Sequence, residues 1–278
     1  MKLLVTGGAG YLGSEVLRQA SERGWDVVAT YLSRRPDDTS VAFVALDVRD
    51  QTAVDGLFAD VRPDAVIHAA YRQSGPDLWA TTAEGASVVA RAARRVGARL
   101  IHMSTDALFD GEREGAYIEQ DVPSPITPYG EAKAAAERLV AEAYPQALIV
   151  RTSLLYGGAA PGMHERLILD AAEGRVDLAF FRDELRCPVA VGDLAAALLE
   201  LVPVELAGPL HLAGADVVSR YDFACLVVGA LGGSVERLRA GLSVESGLRR
   251  PRNCALDCSR AQNLLQTWLR GVYEVLIP

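Results

Sequence analysis

The first thirteen residues, MKLLVTGGAGYLG, constrain this chain most. Their apolar start reads as a short buried strand. Thr6 to Gly13 turns sharply, and Ser14 to Arg23 has helical spacing, with Val16, Leu17 and Ala20 on one face and Gly24 as the stop. Two glycine frames fit the turn: Gly8, Gly10 and Gly13 as GxGxxG, and Gly7, Gly10 and Gly13 as GxxGxxG. Strand, glycine turn and helix in that order suit a dinucleotide pyrophosphate. The helix N-terminus offers unpaired N–H groups and partial positive charge, and the glycines let backbone and phosphate approach.

The rest of the first half repeats this alternation. Strands are predicted at Asp26–Tyr31, Val41–Leu46, Ala65–Ala70, Arg99–Met103 and from Leu148, with helices at Gln51–Phe58, Trp79–Val96 and Pro128 to about Ala143. That pattern predicts an α/β fold, a doubly wound parallel Rossmann sheet. Beyond residue 152 the pattern loosens. The expected division is a nucleotide-binding domain over 1–152, rejoined by 190–213, and a smaller interleaved lobe from 153–189 and 214–278.

Composition excludes several classes. Half of the 278 residues are hydrophobic, too many for disorder. No apolar run is long enough for a membrane span and no basic, cleavable leader opens the chain, so a cytoplasmic protein is expected. The net charge of −8, without a basic stripe, argues against nucleic acid. The cysteines, Cys187, Cys225, Cys254 and Cys258, lack zinc spacing and read as buried free thiols, and no metal site is expected.

Strand two ends in Thr30-Tyr31, followed by Ser33, Arg34 and Arg35. No carboxylate stands there to repel a 2′-phosphate, and two guanidiniums and a hydroxyl can bind one. NADP(H) is therefore expected over NAD(H), which stays possible. Asp47 and Val48, after strand three, are placed to meet the adenine. Ala69 and Ala70 are small enough for ribose and diphosphate to lie against strand four. His68 reads as a core histidine.

Of 28 basic residues only Lys2 and Lys133 are lysines. Tyr129 and Lys133 stand four apart in a helix opened by Pro128, so they share a face. Ser104-Thr105-Asp106 closes strand five, at the sheet end where such folds bind ligands. A tyrosine hydroxyl can protonate a developing alkoxide if a nearby ammonium lowers its pKa, and a threonine hydroxyl can orient the carbonyl. Thr105, Tyr129 and Lys133 are the candidate catalytic set.

TGGAGYLG, STDALFDG, PYGEAK and RTSLLYG, in this order, resemble the extended short-chain dehydrogenase/reductase family. Together with Gly208–Gly214 and the Arg250–Asn253 stretch, they are most similar to its dTDP-4-dehydrorhamnose reductase branch. The resemblance implies NADPH-dependent reduction of a keto group on a nucleotide-linked sugar. It makes Tyr129 the proton donor and Lys133 a cofactor ligand, and puts Thr105 and Asp106 on the sugar. It sets Gly10, Tyr11 and Leu12 on the pyrophosphate, Asp47 and Val48 on the adenine, and Ala69, Ala70 and Tyr71 on the ribose side. A homodimer is implied by the same likeness. Three positions depart from the branch: Leu154, where an aromatic residue usually meets substrate; Thr82, where asparagine is frequent; and the loop Tyr71–Pro76, which lacks the acidic pattern. The alternatives are a catalytically silent NADP-binding subunit, resembling the regulatory subunit of methionine adenosyltransferase, or a sugar-nucleotide epimerase or dehydratase. Asp183, Glu184, Arg186, Arg250 and Arg252 suit a diphosphate, a partner or a solvated surface equally.

Overall fold

A computed structural model describes residues 1–37 and 41–277. In chain order the elements begin β1 (Lys2–Thr6), α1 (Tyr11–Glu22), β2 (Asp26–Tyr31), β3 (Ala42–Ala45), α2 (Gln51–Val61) and β4 (Ala65–His68). Next come α3 (Gly85–Val96), β5 (Arg99–Thr105), α4 (Pro128–Ala143) and β6 (Leu148–Thr152). Then follow β7 (Leu155–Tyr156), α5 (Met163–Ala172), β8 (Ala179–Phe181), β9 (Leu185–Arg186), β10 (Val189–Ala190), α6 (Val191–Leu201) and β11 (Gly208–His211). The last are β12 (Val218–Ser219), α7 (Arg220–Ala230), β13 (Arg239–Gly241), α8 (Ser259–Leu264) and α9 (Val272–Leu276).

Seven strands form the central sheet in the order β11-β6-β5-β4-β1-β2-β3. β1 pairs in parallel with β2 on one side and β4 on the other, with Leu4 opposite Val28 and Val66. The chain thus reverses its winding direction at β1, and the crevice of such a sheet opens at the carboxyl ends of β1 and β4. Strand β1 is buried from Leu3 onward, as a strand covered on both faces must be. The predicted helix over Trp79–Val96 opens with a π-helical turn, Ala80–Glu84, before α3 proper.

The chain divides into two compact units: 1–105, 128–151 and 195–210 in the first, and 106–127, 152–194 and 211–278 in the second. The core of the first joins Leu4, Val54, Phe58, Val66, Val89, Leu100, Val140 and Ile149. That of the second joins Tyr156, Ile168, Phe180, Phe223, Val227, Leu238 and Val272. Residues 106–127 lie inside the span expected for the nucleotide-binding domain, yet they group with the second unit. The physical reason is backbone pairing: the Tyr117 N–H donates to the Ala255 carbonyl at 2.8 Å, and the Asp257 N–H to the Tyr117 carbonyl at 2.8 Å. Gly111 adds a close approach at φ +79°, where a Cβ would stand 2.3 Å from the Arg252 nitrogen.

Candidate functional site

The glycine turn is tight for reasons local to each residue. Gly7 has φ +73°, and a Cβ there would come within 2.8 Å of the Ala70 nitrogen, so the turn lies directly on the end of β4. A Cβ on Gly13 would fall 2.3 Å from the Gly7 carbonyl, which presses the first turn of α1 against the loop. Gly10 caps α1 without a side-chain hydrogen bond, leaving the helix N-terminus free of a built-in cap. Leu12 and Gly13 are buried in α1, and Tyr11 is half-buried. This cradle, which side chains would fill, fits a dinucleotide pyrophosphate.

Elsewhere the expected cofactor residues differ in how firmly they are held. Val48 is buried, with its Cγ2 where a Cβ on Gly85 would come within 2.8 Å. Asp47 is engaged by Arg49, whose Nη2 reaches its Oδ2 at 2.7 Å, and this hydrogen bond holds its carboxyl below the usual range. Ala69 and Ala70 are half-buried after β4. Ser33, Arg34 and Arg35 are exposed beyond β2, and Arg34 has only a 4.0 Å contact to Asp37 with both side chains in solvent.

The candidate catalytic residues of the first unit stand at the end of β5 and the start of α4. Thr105 is the last residue of β5 and 9% exposed. Lys133 is 4% exposed, and its Nζ donates to the Met103 carbonyl at 2.9 Å, which fixes the ammonium beneath the strand end. Tyr71, from the loop after β4, places its ring 5.0 Å from Nζ and 5.9 Å from the Tyr129 ring. Tyr71 thus belongs with the Tyr129–Lys133 pair. Burial pulls Lys133 down to about 8, and the Glu137 carboxylate opposes that fall.

Sequence reasoning missed the layer beneath. Glu137 is one helical turn after Lys133 and buried. It accepts from Ser104 Oγ at 2.5 Å and pairs with Arg151 at 2.8 Å, itself 3% exposed. The i+4 spacing from Lys133 was a visible signal; Ser104 and Arg151 come from β5 and β6 and gave none. His68 is a core residue: it accepts or donates at 2.6 Å to Thr6 Oγ1, stacks on His102, and burial brings it to about 3, so it is neutral at pH 7. Thr82 holds the departing loop by both backbone groups of Arg72, accepting its N–H at 2.9 Å and donating to its carbonyl at 2.8 Å.

In the second unit, Asp106 is buried and its carboxylate is engaged internally. Ser153 Oγ donates to Oδ2 at 2.6 Å, and Arg186 Nε lies at 3.7 Å. Leu154 is half-buried against the unit's core. A solvated surface does not describe Glu184, which is fully buried, or Arg186, which is 7% exposed. Asp183 is held by Ser243 through N–H and hydroxyl at 2.7 and 2.8 Å. Arg250 pairs with Glu184, and Arg252 with Glu112. Cys187, Cys254 and Cys258 are buried and free; Cys225 is free but half-buried, since its side of α7 is not fully covered. Among the described residues no helix is long and apolar enough to cross a membrane.

The family model described as RmlD substrate binding domain matches residues 1–276. A Mycobacterium tuberculosis dTDP-4-dehydrorhamnose reductase is 35% identical, over 91% of this chain and 83% of its own. The methionine adenosyltransferase 2 subunit beta of Rattus norvegicus is 30% identical, over 95% of this chain and 82% of its own. Among solved structures, a Bacillus anthracis dTDP-4-dehydrorhamnose reductase in complex with NADP is 25% identical, with a TM-score of 0.85 over 99% of this chain and 97% of its own.

Proposed function

Because the chain belongs to the RmlD substrate binding domain family, within the extended short-chain dehydrogenases/reductases, we propose that it is an NADPH-dependent reductase of a keto group on a nucleotide-linked sugar. One observation carries the reading: a buried ammonium, Lys133, is fixed at the carboxyl end of β5 beside the Tyr71 ring, which in turn meets the Tyr129 ring, in the same unit as the glycine cradle. The cradle of Gly7, Gly10, Tyr11, Leu12 and Gly13 would hold the pyrophosphate. Ala69, Ala70 and Lys133 would hold the ribose side, Asp47 and Val48 the adenine, and Ser33, Arg34 and Arg35 the 2′-phosphate. When bound, the nicotinamide supplies the hydride.

The chain's own residues do the rest. Thr105 donates a hydrogen bond that orients the substrate carbonyl. Tyr129 gives its hydroxyl proton to the developing alkoxide. The Lys133 charge favours the phenolate that remains, an electrostatic role that strengthens out of water. Lys133 fills this role only while protonated, and the Glu137 carboxylate helps keep it so. Asp106 sits one residue after Thr105, clamped by Ser153 and Arg186, and would shape the sugar pocket. A cytoplasmic enzyme, working as a homodimer, is the setting that fits.

The test is NADPH oxidation, followed by absorbance, against dTDP- and UDP-linked 4-keto sugars. Turnover with one of them supports the reading and begins to name the sugar. Tight NADPH binding without turnover, together with a stable partner protein on purification, would favour the silent regulatory subunit. Product formation without net oxidation would favour an epimerase or dehydratase.

A further inference from the structure

Lys133 is 4% exposed, and among the described residues its ammonium, with three N–H groups, makes one hydrogen bond, to the Met103 carbonyl. The face of the Tyr71 ring meets it as well, with the centroid 5.0 Å from Nζ, inside the roughly 6 Å reach of a cation–π contact. Tyr71 itself is 47% exposed. The ring is thus the layer between a charge withdrawn from water and the surface. An aromatic face suits that place, because it excludes water and still favours the charged form. An aliphatic side chain there would only exclude water.

The position of the ring is set from the backbone. Tyr71 opens the loop after β4. The next residue, Arg72, is gripped at both backbone groups by the Thr82 hydroxyl, at 2.9 Å for the N–H and 2.8 Å for the carbonyl. Thr82 is buried and stands in the π-helical turn that precedes α3. One short side chain thus spends its donor and an acceptor on a single residue, and fixes the loop next to the ring. The same ring lies 5.9 Å from the Tyr129 ring, tilted by 51°. Tyr71 is therefore adjacent to both members of the Tyr129–Lys133 pair.

The remaining titratable and charged groups around the ammonium are few. Tyr129 and Glu137 share its helix, and Glu137 is paired with Arg151 from β6. His68 on β4 and His102 on β5 feel its charge, and burial holds both neutral at pH 7 and above. Burial lowers Lys133 to about 8, against the pull of Glu137. The ammonium therefore survives neutral pH with little margin. A neighbour that favours the charged form decides how far into alkali it lasts.

We propose that Tyr71 is a positioning residue of this site: its ring, held by the Thr82 clamp on Arg72, caps the Lys133 ammonium and keeps it charged for the proton donor Tyr129. The service to a proton donor rests on the sugar-nucleotide reading; the hold on the ammonium does not.

The sequence makes the test direct, because Lys2 and Lys133 are its only lysines. The full chain carrying lysine labelled with ¹³C at Cε gives two signals, whose shifts follow the charge of each ammonium through a pH titration. Lys2, half-exposed beside Asp26, is the internal reference. Tyr71→Leu keeps apolar bulk over the ammonium and removes the aromatic face. It should lower the Lys133 midpoint by about half a unit to one and a half units, as loss of a cation–π contact implies, and leave that of Lys2 in place. Tyr71→Phe, which keeps the face, should keep the parent midpoint. Thr82→Val removes the clamp and should lower the midpoint in the same direction, while Thr82→Ser should not. With a keto sugar that the chain reduces, the alkaline limb of kcat/KM should move with the Lys133 midpoint. A Tyr71→Leu midpoint equal to the parent's or above it would overturn the proposal. So would an equal fall in Tyr71→Phe, or an unmoved midpoint in Thr82→Val. The sugar-nucleotide reading fails separately, if no keto sugar is turned over while the Lys133 midpoint still depends on Tyr71.

Discussion

Lys133 in the first unit and Arg186 in the second are both buried cations, and they are held in different ways. Lys133 has the Met103 carbonyl on its ammonium, the Tyr71 ring beside it and the Glu137 carboxylate one turn on. Arg186 donates to the Leu185, Arg252 and Pro251 carbonyls and has the Asp106 carboxylate at 3.7 Å. The first cation is part of finished internal machinery, ready to act on another side chain. The second is spent on carbonyls and a carboxylate of its own unit. A charge left to act on a neighbouring side chain points to chemistry; a charge spent on carbonyls points to structure.

The contrast can be broken by kinetics. Lys133→Met should lower kcat by roughly 10²- to 10⁴-fold, the usual scale for disabling proton transfer, whereas Arg186→Met should act on stability, costing about 1–3 kcal/mol in unfolding free energy. The same pattern of loss in both variants would erase the distinction. Next in size, Gly13→Ala should cost about 1–3 kcal/mol in unfolding free energy, because the new Cβ meets the Gly7 carbonyl, and it should weaken NADPH binding measured by fluorescence. Smaller again, Arg34→Ala with Arg35→Ala should raise the KM for NADPH roughly tenfold and leave that for NADH unchanged, as loss of charge-assisted phosphate contacts requires.

The smallest expected effect sharpens the account of Lys133. Its pKa is about 8, so the ammonium is lost as pH rises through that value, and kcat/KM should fall on the alkaline side of about 8. Glu137 raises that pKa, so Glu137→Gln should move the alkaline limb to lower pH. Pairing it with Arg151→Met avoids leaving a buried guanidinium unmatched. An unmoved limb would remove Glu137 from the account.

The glycine turn could be read in the sequence because its constraints are local. Gly7, Gly10 and Gly13 act on neighbours a few residues away or on the next strand end. Tyr129 and Lys133 were readable for the same reason, since four residues make one turn. Tyr71 was expected on the ribose side, but its ring contact with Lys133 depends on how the loop after β4 folds back, which Thr82 and Arg72 decide. The second unit was opaque because its polar pairings are assembled from three distant stretches, around Asp106, Glu184 and Arg250. Burial of Glu184 and Arg186 follows from pairings that no local pattern announces. Residues 106–127 grouped against expectation for that reason too, through Tyr117 and its partners near Asp257.

The central claim is that Tyr129 delivers the proton in a reduction driven from the glycine-bound cofactor. The most direct measurement is the single-turnover rate of NADPH oxidation by the Tyr129→Phe chain, with a 4-keto sugar nucleotide that the parent chain reduces. The account predicts a rate lower by roughly 10²-fold or more, with NADPH binding intact. Oxidation at the parent rate would contradict it.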